Sequence, residues 1–151
     1  MKLSSPSFAD GAAIPNRHTC KGENRSPALA WDGVPPGAAA FALLVTDPDA
    51  PGGEFLHWLV YNLPAACRGL DEGQPNNFKL SNGAVQGIND FGRPGYGGPC
   101  PPPGPAHRYI FQVFALSAPL APRSIQRAAD LLRAMDGKVV GRGTLTGTFR
   151  R

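Results

Sequence analysis

The stretch Ala38-Ala39-Ala40-Phe41-Ala42-Leu43-Leu44-Val45-Thr46, closed by Asp47-Pro48-Asp49-Ala50-Pro51, decides the fold class of this chain. It has the length of a strand. Val34-Pro35-Pro36-Gly37 precedes it and Pro48 follows, and both flanks stop a ladder, because proline has no N–H to donate and glycine tolerates positive φ. Further apolar runs rich in Val, Phe, Tyr, Ile and Leu cover Leu56 to Leu63, Ala84 to Ile88, Tyr109 to Leu116 and Val139 to Phe149. Glycines 141, 143 and 147 interrupt the last run, which predicts a final bent or bulged strand pair. The expected class is mainly β.

One segment has a different period. Ile125, Ala128, Ala129, Leu131, Leu132 and Met135 recur at intervals of three and four, which predicts one helix around residues 124–136, with Ser124 as N-cap and Gly137 just past its end. Its Leu and Met stripe is expected to pack on the core rather than to contact a ligand.

Composition narrows the class of protein. Of 151 residues, 19 are Gly and 17 are Pro, about twice the usual share, yet 42% are hydrophobic, enough to build a core rather than a disordered chain. The length suits a single domain, 1–151. The formal charge of +4 permits anion binding. Its basic residues are scattered without a basic stripe, so no nucleic acid is expected as partner. No segment has signal-peptide or transmembrane character. Cys20, Cys67 and Cys100 are odd in number and lack C-x-x-C spacing, which predicts reduced thiols in a cytoplasmic protein.

Two constellations carry the chemistry. In the first, Asp47 and Asp49 end a strand and His57 follows within Leu56-His57-Trp58; an imidazole in an apolar strand needs a partner, and Asp47 is the plausible carboxylate. Asp47 and Asp49 are equally suited to an Asx-turn that caps the loop's own N–H groups. The second runs from Gly87 to Tyr109 and holds twelve glycines and prolines before His107 opens a strand. Glycine lets backbone amides approach an anion, while the prolines stiffen the wall. His18 lies apart in Asn16-Arg17-His18-Thr19-Cys20 and is expected to be exposed or packed. Imidazoles, a phenol and loop amides suit a phosphate or carboxylate. Asp47, His57, Cys100 and His107 show no diagnostic metal spacing, and no nucleophile elbow, P-loop or dinucleotide fingerprint is present.

Asp47-Pro48-Asp49-Ala50-Pro51, His57-Trp58, Gly97-Gly98-Pro99-Cys100-Pro101-Pro102 and His107-Arg108-Tyr109 resemble the signature segments of the phosphatidylethanolamine-binding protein family, which includes the Raf kinase inhibitor proteins. The bacterial and archaeal branch is the nearer match. The resemblance implies a two-sheet, largely antiparallel Greek-key β sandwich with peripheral helices, and a small pocket for phosphate-like anions and phospholipid headgroups. It places Asp47, Pro51, His57, Gly98, Cys100, Pro101, His107 and Tyr109 on that pocket, with a cis peptide before Pro51 and Phe55 as the aromatic wall. The function expected is therefore non-enzymatic binding or regulation, with no cofactor and no metal. The partners expected are a small anionic ligand, phosphate or headgroup-like, with room for a protein partner and for a homodimer. The competing readings are a protease or kinase inhibitor acting through a surface loop, and an acid–base hydrolase using His57 and His107.

Overall fold

A computed structural model describes residues 1–121 and 125–151. Eight strands form two antiparallel sheets: β1 (Lys2–Ser4), β2 (Leu29–Asp32) and β5 (Gly69–Leu70) in the smaller, in the order β1-β2-β5; β3 (Ala40–Asp47), β4 (Phe55–Pro64), β6 (Val85–Gln86), β7 (His107–Leu116) and β8 (Val139–Phe149) in the larger, in the order β6-β4-β3-β7-β8. Strand β7 returns after a long connection to lie beside β3, on the opposite side from β4 and β6, which is the Greek-key order. The mainly β, two-sheet expectation holds. The small sheet was not legible, because its strands have two to four residues.

Every residue of β3 is buried, since both faces of the large sheet are covered. Phe41, Leu43 and Val45 join Trp31 and Leu29 of the small sheet in one core, together with Trp58, Phe111 and Val113. Ala42 and Leu44 face a second core, with Leu56, Tyr61 and Phe114, closed by Leu120, Ile125, Leu131 and Met135. This double burial explains why β3 reads as a continuous apolar run instead of alternating.

The helix α1 spans Ala128–Met135, shorter than residues 124–136. Ser124, expected as N-cap, lies outside the described residues; Arg127 is the N-cap, and the Asp130 carboxylate accepts from the N–H groups of Gln126 and Arg127. Leu131 and Met135 are buried on the core as expected, and Gly137 ends the helix at φ 75°. The predicted strand pair after it is instead one 11-residue strand, β8, with a bulge near Val140. Its glycines serve close approach rather than a turn: a Cβ would lie 2.9 Å from Met1 Sδ at Gly141, 3.1 Å from the Leu3 nitrogen at Gly143 and 2.5 Å from Ile14 at Gly147.

Candidate functional site

Strand register gathers the polar residues at one end of the large sheet. Asp47 stands opposite Phe55 of β4, and Thr46 opposite Ile110, so the next step of the antiparallel ladder brings Asp47 to Tyr109. His107 shares the Tyr109 face of β7, two residues away. A bulge in β4 does the rest. Val45 pairs with Trp58 and Thr46 with Leu56, which leaves His57 as the extra residue and turns its ring toward the side that Tyr109 occupies. These side chains line a cavity of about 150 Å³ with Ala50, Pro51, Phe55, Phe91, Cys100, Pro101 and Pro102.

The hydrogen bonds fix both imidazoles. His57 Nδ1 lies 2.6 Å from the Gly97 carbonyl, and His107 Nδ1 lies 2.7 Å from Asp47 Oδ2. Both acceptors demand an Nδ1–H, so each ring, when neutral, carries no proton on Nε2. The expected Asp47–His57 partnership is therefore corrected. His57 is met by the Gly-rich loop, whose Gly97 N–H also donates back to the His57 carbonyl, and Asp47 serves His107 instead. Asp47 Oδ1 accepts from the Asp49 N–H as well, so the Asx-turn reading and the site reading of Asp47 are both met by one carboxylate. Asp49 leaves the site and pairs with Arg108, whose guanidinium and N–H hold its carboxyl down to about 2.

Burial lowers the His57 pKa, opposed by the Gly97 carbonyl and the charge of Asp47. Burial also raises the Tyr109 pKa, reinforced by the charge of Asp47 and by the interaction of the phenol with its carboxylate, so the phenol stays protonated. The Tyr109 hydroxyl is the one buried side-chain nitrogen or oxygen with no hydrogen bond of full geometry among the described residues, and the Asp47 carboxylate beside it is already engaged by His107 and the Asp49 N–H. A buried donor left short of a full hydrogen bond costs up to roughly 1–3 kcal/mol, a cost that a better acceptor would relieve.

Of the residues placed on the pocket from sequence, Asp47, Pro51, His57, Cys100, Pro101, His107 and Tyr109 line the cavity, and Gly98 does not. Gly98 faces the turn at Asn16–His18: its N–H donates to Asn24 Oδ1, and a Cβ there would meet the His18 carbonyl oxygen at 2.1 Å. With the Gly97 and Gly98 N–H groups both committed, these two are not the free amides expected of an anion nest. His18 is fully buried, held by Ser7 and the Arg25 carbonyl. The Ala50–Pro51 peptide is trans, contrary to the expected cis bond; the two prolyl isomers differ by only about 1 kcal/mol, so sequence alone does not select one.

The reduced-thiol expectation is also corrected. Cys20 and Cys100 form a disulfide across 80 residues, and only Cys67 is free. The fold brings their Cα atoms to 5.3 Å, a proximity no local spacing announces. Disulfides persist chiefly in oxidising compartments or in hyperthermophile cells. Phe91 was missed as well. It packs on Phe55 and edge-on to His57, held by Asn89, whose side chain accepts from the Phe91 N–H and donates to the Gly95 carbonyl. The aromatic wall is thus double. The only signal was an exposed aromatic inside a Gly-rich loop.

No group of three or more His, Cys, Asp and Glu is placed to hold a metal among the described residues. No helix among them is long and apolar enough to cross a membrane. A larger groove of about 480 Å³ lies beside β6, lined by Tyr61, Phe78, Ile88 and Arg127 among others, and contains no histidine. The smaller cavity brings two histidines together with a carboxylate and a phenol.

A family model described as phosphatidylethanolamine-binding protein matches residues 4–150. A UPF0098 protein of Methanothermobacter thermautotrophicus is 46% identical over 151 residues, covering 100% of this chain and 99% of its own length. One of Aquifex aeolicus is 45% identical over 155 residues, covering 100% of this chain and 89% of its own. The crystal structure of Escherichia coli YbcL, described as a member of the mammalian PEBP family, superposes with a TM-score of 0.91 at 34% identity, covering 99% of this chain and 98% of that one. A PEBP homolog from Chlamydia trachomatis gives 0.89 at 37% identity, covering 99% and 97%.

Proposed function

The chain belongs to the phosphatidylethanolamine-binding protein family, and from that premise we propose that its pocket binds a small phosphate-like anion without chemical turnover, as a sensing or regulatory site. One observation carries this reading: the buried Tyr109 hydroxyl makes no hydrogen bond of full geometry, its neighbouring Asp47 carboxylate being already engaged by His107 and the Asp49 N–H, and it shares the cavity with two imidazoles whose Nδ1 atoms are committed. Tyr109 supplies a neutral O–H donor. His57 becomes a second donor only when it gains a proton at Nε2, while Asp47 holds the His107 ring in place through Nδ1. Phe55, Phe91 and the prolines exclude water on one side, which strengthens those hydrogen bonds. A cavity of about 150 Å³ suits a headgroup-sized phosphate ester rather than a drug-sized ligand.

Chemical turnover is the weaker reading. Asp47 and His107 form an oriented acid–base pair, but Cys100, the cysteine that lines the cavity, is bonded to Cys20 and offers no thiol nucleophile.

The test is a titration of the full chain with inorganic phosphate, phosphoethanolamine and sulfate, followed by NMR. Tyr109, His57 and His107 signals shift at millimolar ligand. Sulfate affinity rises several-fold as pH falls from about 8 to about 6, because sulfate keeps its charge while the bound state favours a protonated His57. The sign follows from the lowered His57 pKa: the free ring is neutral near pH 7, so binding an anion takes up a proton. Still pocket signals, or an affinity flat with pH, would show that the site does not hold an anion this way.

A further inference from the structure

We propose that the Cys20–Cys100 disulfide is a redox gate on the pocket, closed by oxidation in the anion-binding form and released by a dithiol reductant. The gate rests on the anion reading above and adds its regulation.

Cys100 belongs to the pocket wall, in Pro99-Cys100-Pro101-Pro102-Pro103-Gly104-Pro105. Five of those seven residues are prolines and have no N–H, so the wall cannot fasten itself to a sheet. Its tethers are sparse. The Cys20 N–H donates to the Pro99 carbonyl at 3.1 Å, Arg151 Nη1 reaches the Pro101 carbonyl at 3.4 Å, and the disulfide supplies the covalent link. Breaking that link leaves two hydrogen bonds and the packing of the buried Pro99 and Pro101 to hold the wall, whose Pro102 and Pro103 are exposed.

The bond is also reachable. Cys20 is exposed, and a cleft of about 350 Å³ lined by Cys20, Asn24, Phe91, Arg93, Gly98 and Cys100 adjoins the anion pocket across Phe91 and Cys100. A reductant reaches the Cys20 sulfur through this cleft. Exposed disulfides are the labile and regulatory class.

The exchange is balanced. One thiolate of the dithiol attacks the Cys20 sulfur, forming a mixed disulfide and expelling Cys100 as thiolate; the second thiol of the reductant then displaces Cys20 and closes the reductant's own disulfide. Two electrons pass from the dithiol to the protein, and its two protons go to Cys20 and to Cys100 or solvent. The freed Cys100 sulfur lies beside Arg151 Nη1, at 3.7 Å in the oxidised form, and a guanidinium favours the thiolate. Reduction thus both loosens the wall and places a negative charge in it, and each change weakens anion binding.

The test compares the full chain oxidised, reduced with dithiothreitol, and as Cys20→Ser, with inorganic phosphate as ligand. Phosphate affinity falls at least fivefold on reduction. Cys20→Ser is as weak as the reduced wild type and indifferent to dithiothreitol. Amide exchange at Cys20, whose N–H holds the Pro99 carbonyl, quickens at least tenfold on reduction, while the β3 and β7 amides keep their protection. Equal affinity in both redox states, with pocket signals still moving, overturns the gate and leaves the anion site intact. If phosphate moves no pocket signal in either state, the anion reading fails, and unchanged Cys20 exchange then overturns the gate separately. Loss of protection throughout β3 and β7 also overturns it, since the bridge would then be a staple for the whole fold.

Discussion

The ladder of β3, β4 and β7 has two ends built on the same backbone pairing and put to opposite uses. At one end Phe41 faces Leu63 and Ala115, all with zero exposure, and everything the strands need is supplied by each other and by Trp31 of the small sheet. At the other end stand Asp47, His57, His107 and Tyr109, whose polar atoms the apolar core cannot satisfy. That end draws on partners beyond its own strand pairing: the Gly97 carbonyl for His57, the Asp47 carboxylate for His107, and no hydrogen bond of full geometry among the described residues for the Tyr109 hydroxyl. The apolar end carries folding energy. The polar end leaves one buried donor incompletely met, in the cavity proposed to bind an anion.

The contrast is broken most severely by Phe41→Ala, which removes a fully buried ring packed on Trp31 and costs about 3–5 kcal/mol in a urea melt. Phosphate-induced shifts at the pocket persist in whatever fraction stays folded. Tyr109→Phe has the opposite signature. Because its hydroxyl makes no hydrogen bond of full geometry, stability holds or rises by up to about 1 kcal/mol, while phosphate affinity falls about tenfold. A clear loss of stability in Tyr109→Phe would show the hydroxyl to be paired and would erase the distinction between the two ends. The smallest effect is expected of Asp49→Asn, which removes a solvent-facing pair with Arg108 beside the pocket without touching the cavity. Its carboxyl is held below its ordinary value of 3.8, to about 2, so its contribution is present above pH 4 and is lost as pH falls toward 2. Melts of the variant and the wild type converge over that window, and phosphate affinity at pH 7 is unchanged.

The strands at the centre were legible because their apolar runs are long: Ala38 to Thr46 became β3 and Tyr109 to Leu116 became most of β7, within two residues at each end. The pocket residues were legible as types and poorly as pairs. Seven of the eight lie on the cavity, yet the partner of His57 was misassigned, because a single-residue bulge in β4 turns its ring away from where simple alternation would put it. Gly98 was read as ligand-facing when its missing Cβ serves the His18 carbonyl. Phe91 and the Cys20–Cys100 bond were hidden by separation along the chain.

By itself the sequence determined the β class, the late helix and the set of groups that meet at the site, because apolar period, turn residues and short ordered motifs act locally or recur at fixed spacing. Only the tertiary structure decided which imidazole Asp47 holds, which amides are already bound, that two distant cysteines are joined, and that the Tyr109 hydroxyl is left without a full hydrogen bond. Those are pairings across 40 to 80 residues of chain, set by strand register and loop closure, and a hydrogen bond or a disulfide forms with whatever the fold brings within reach.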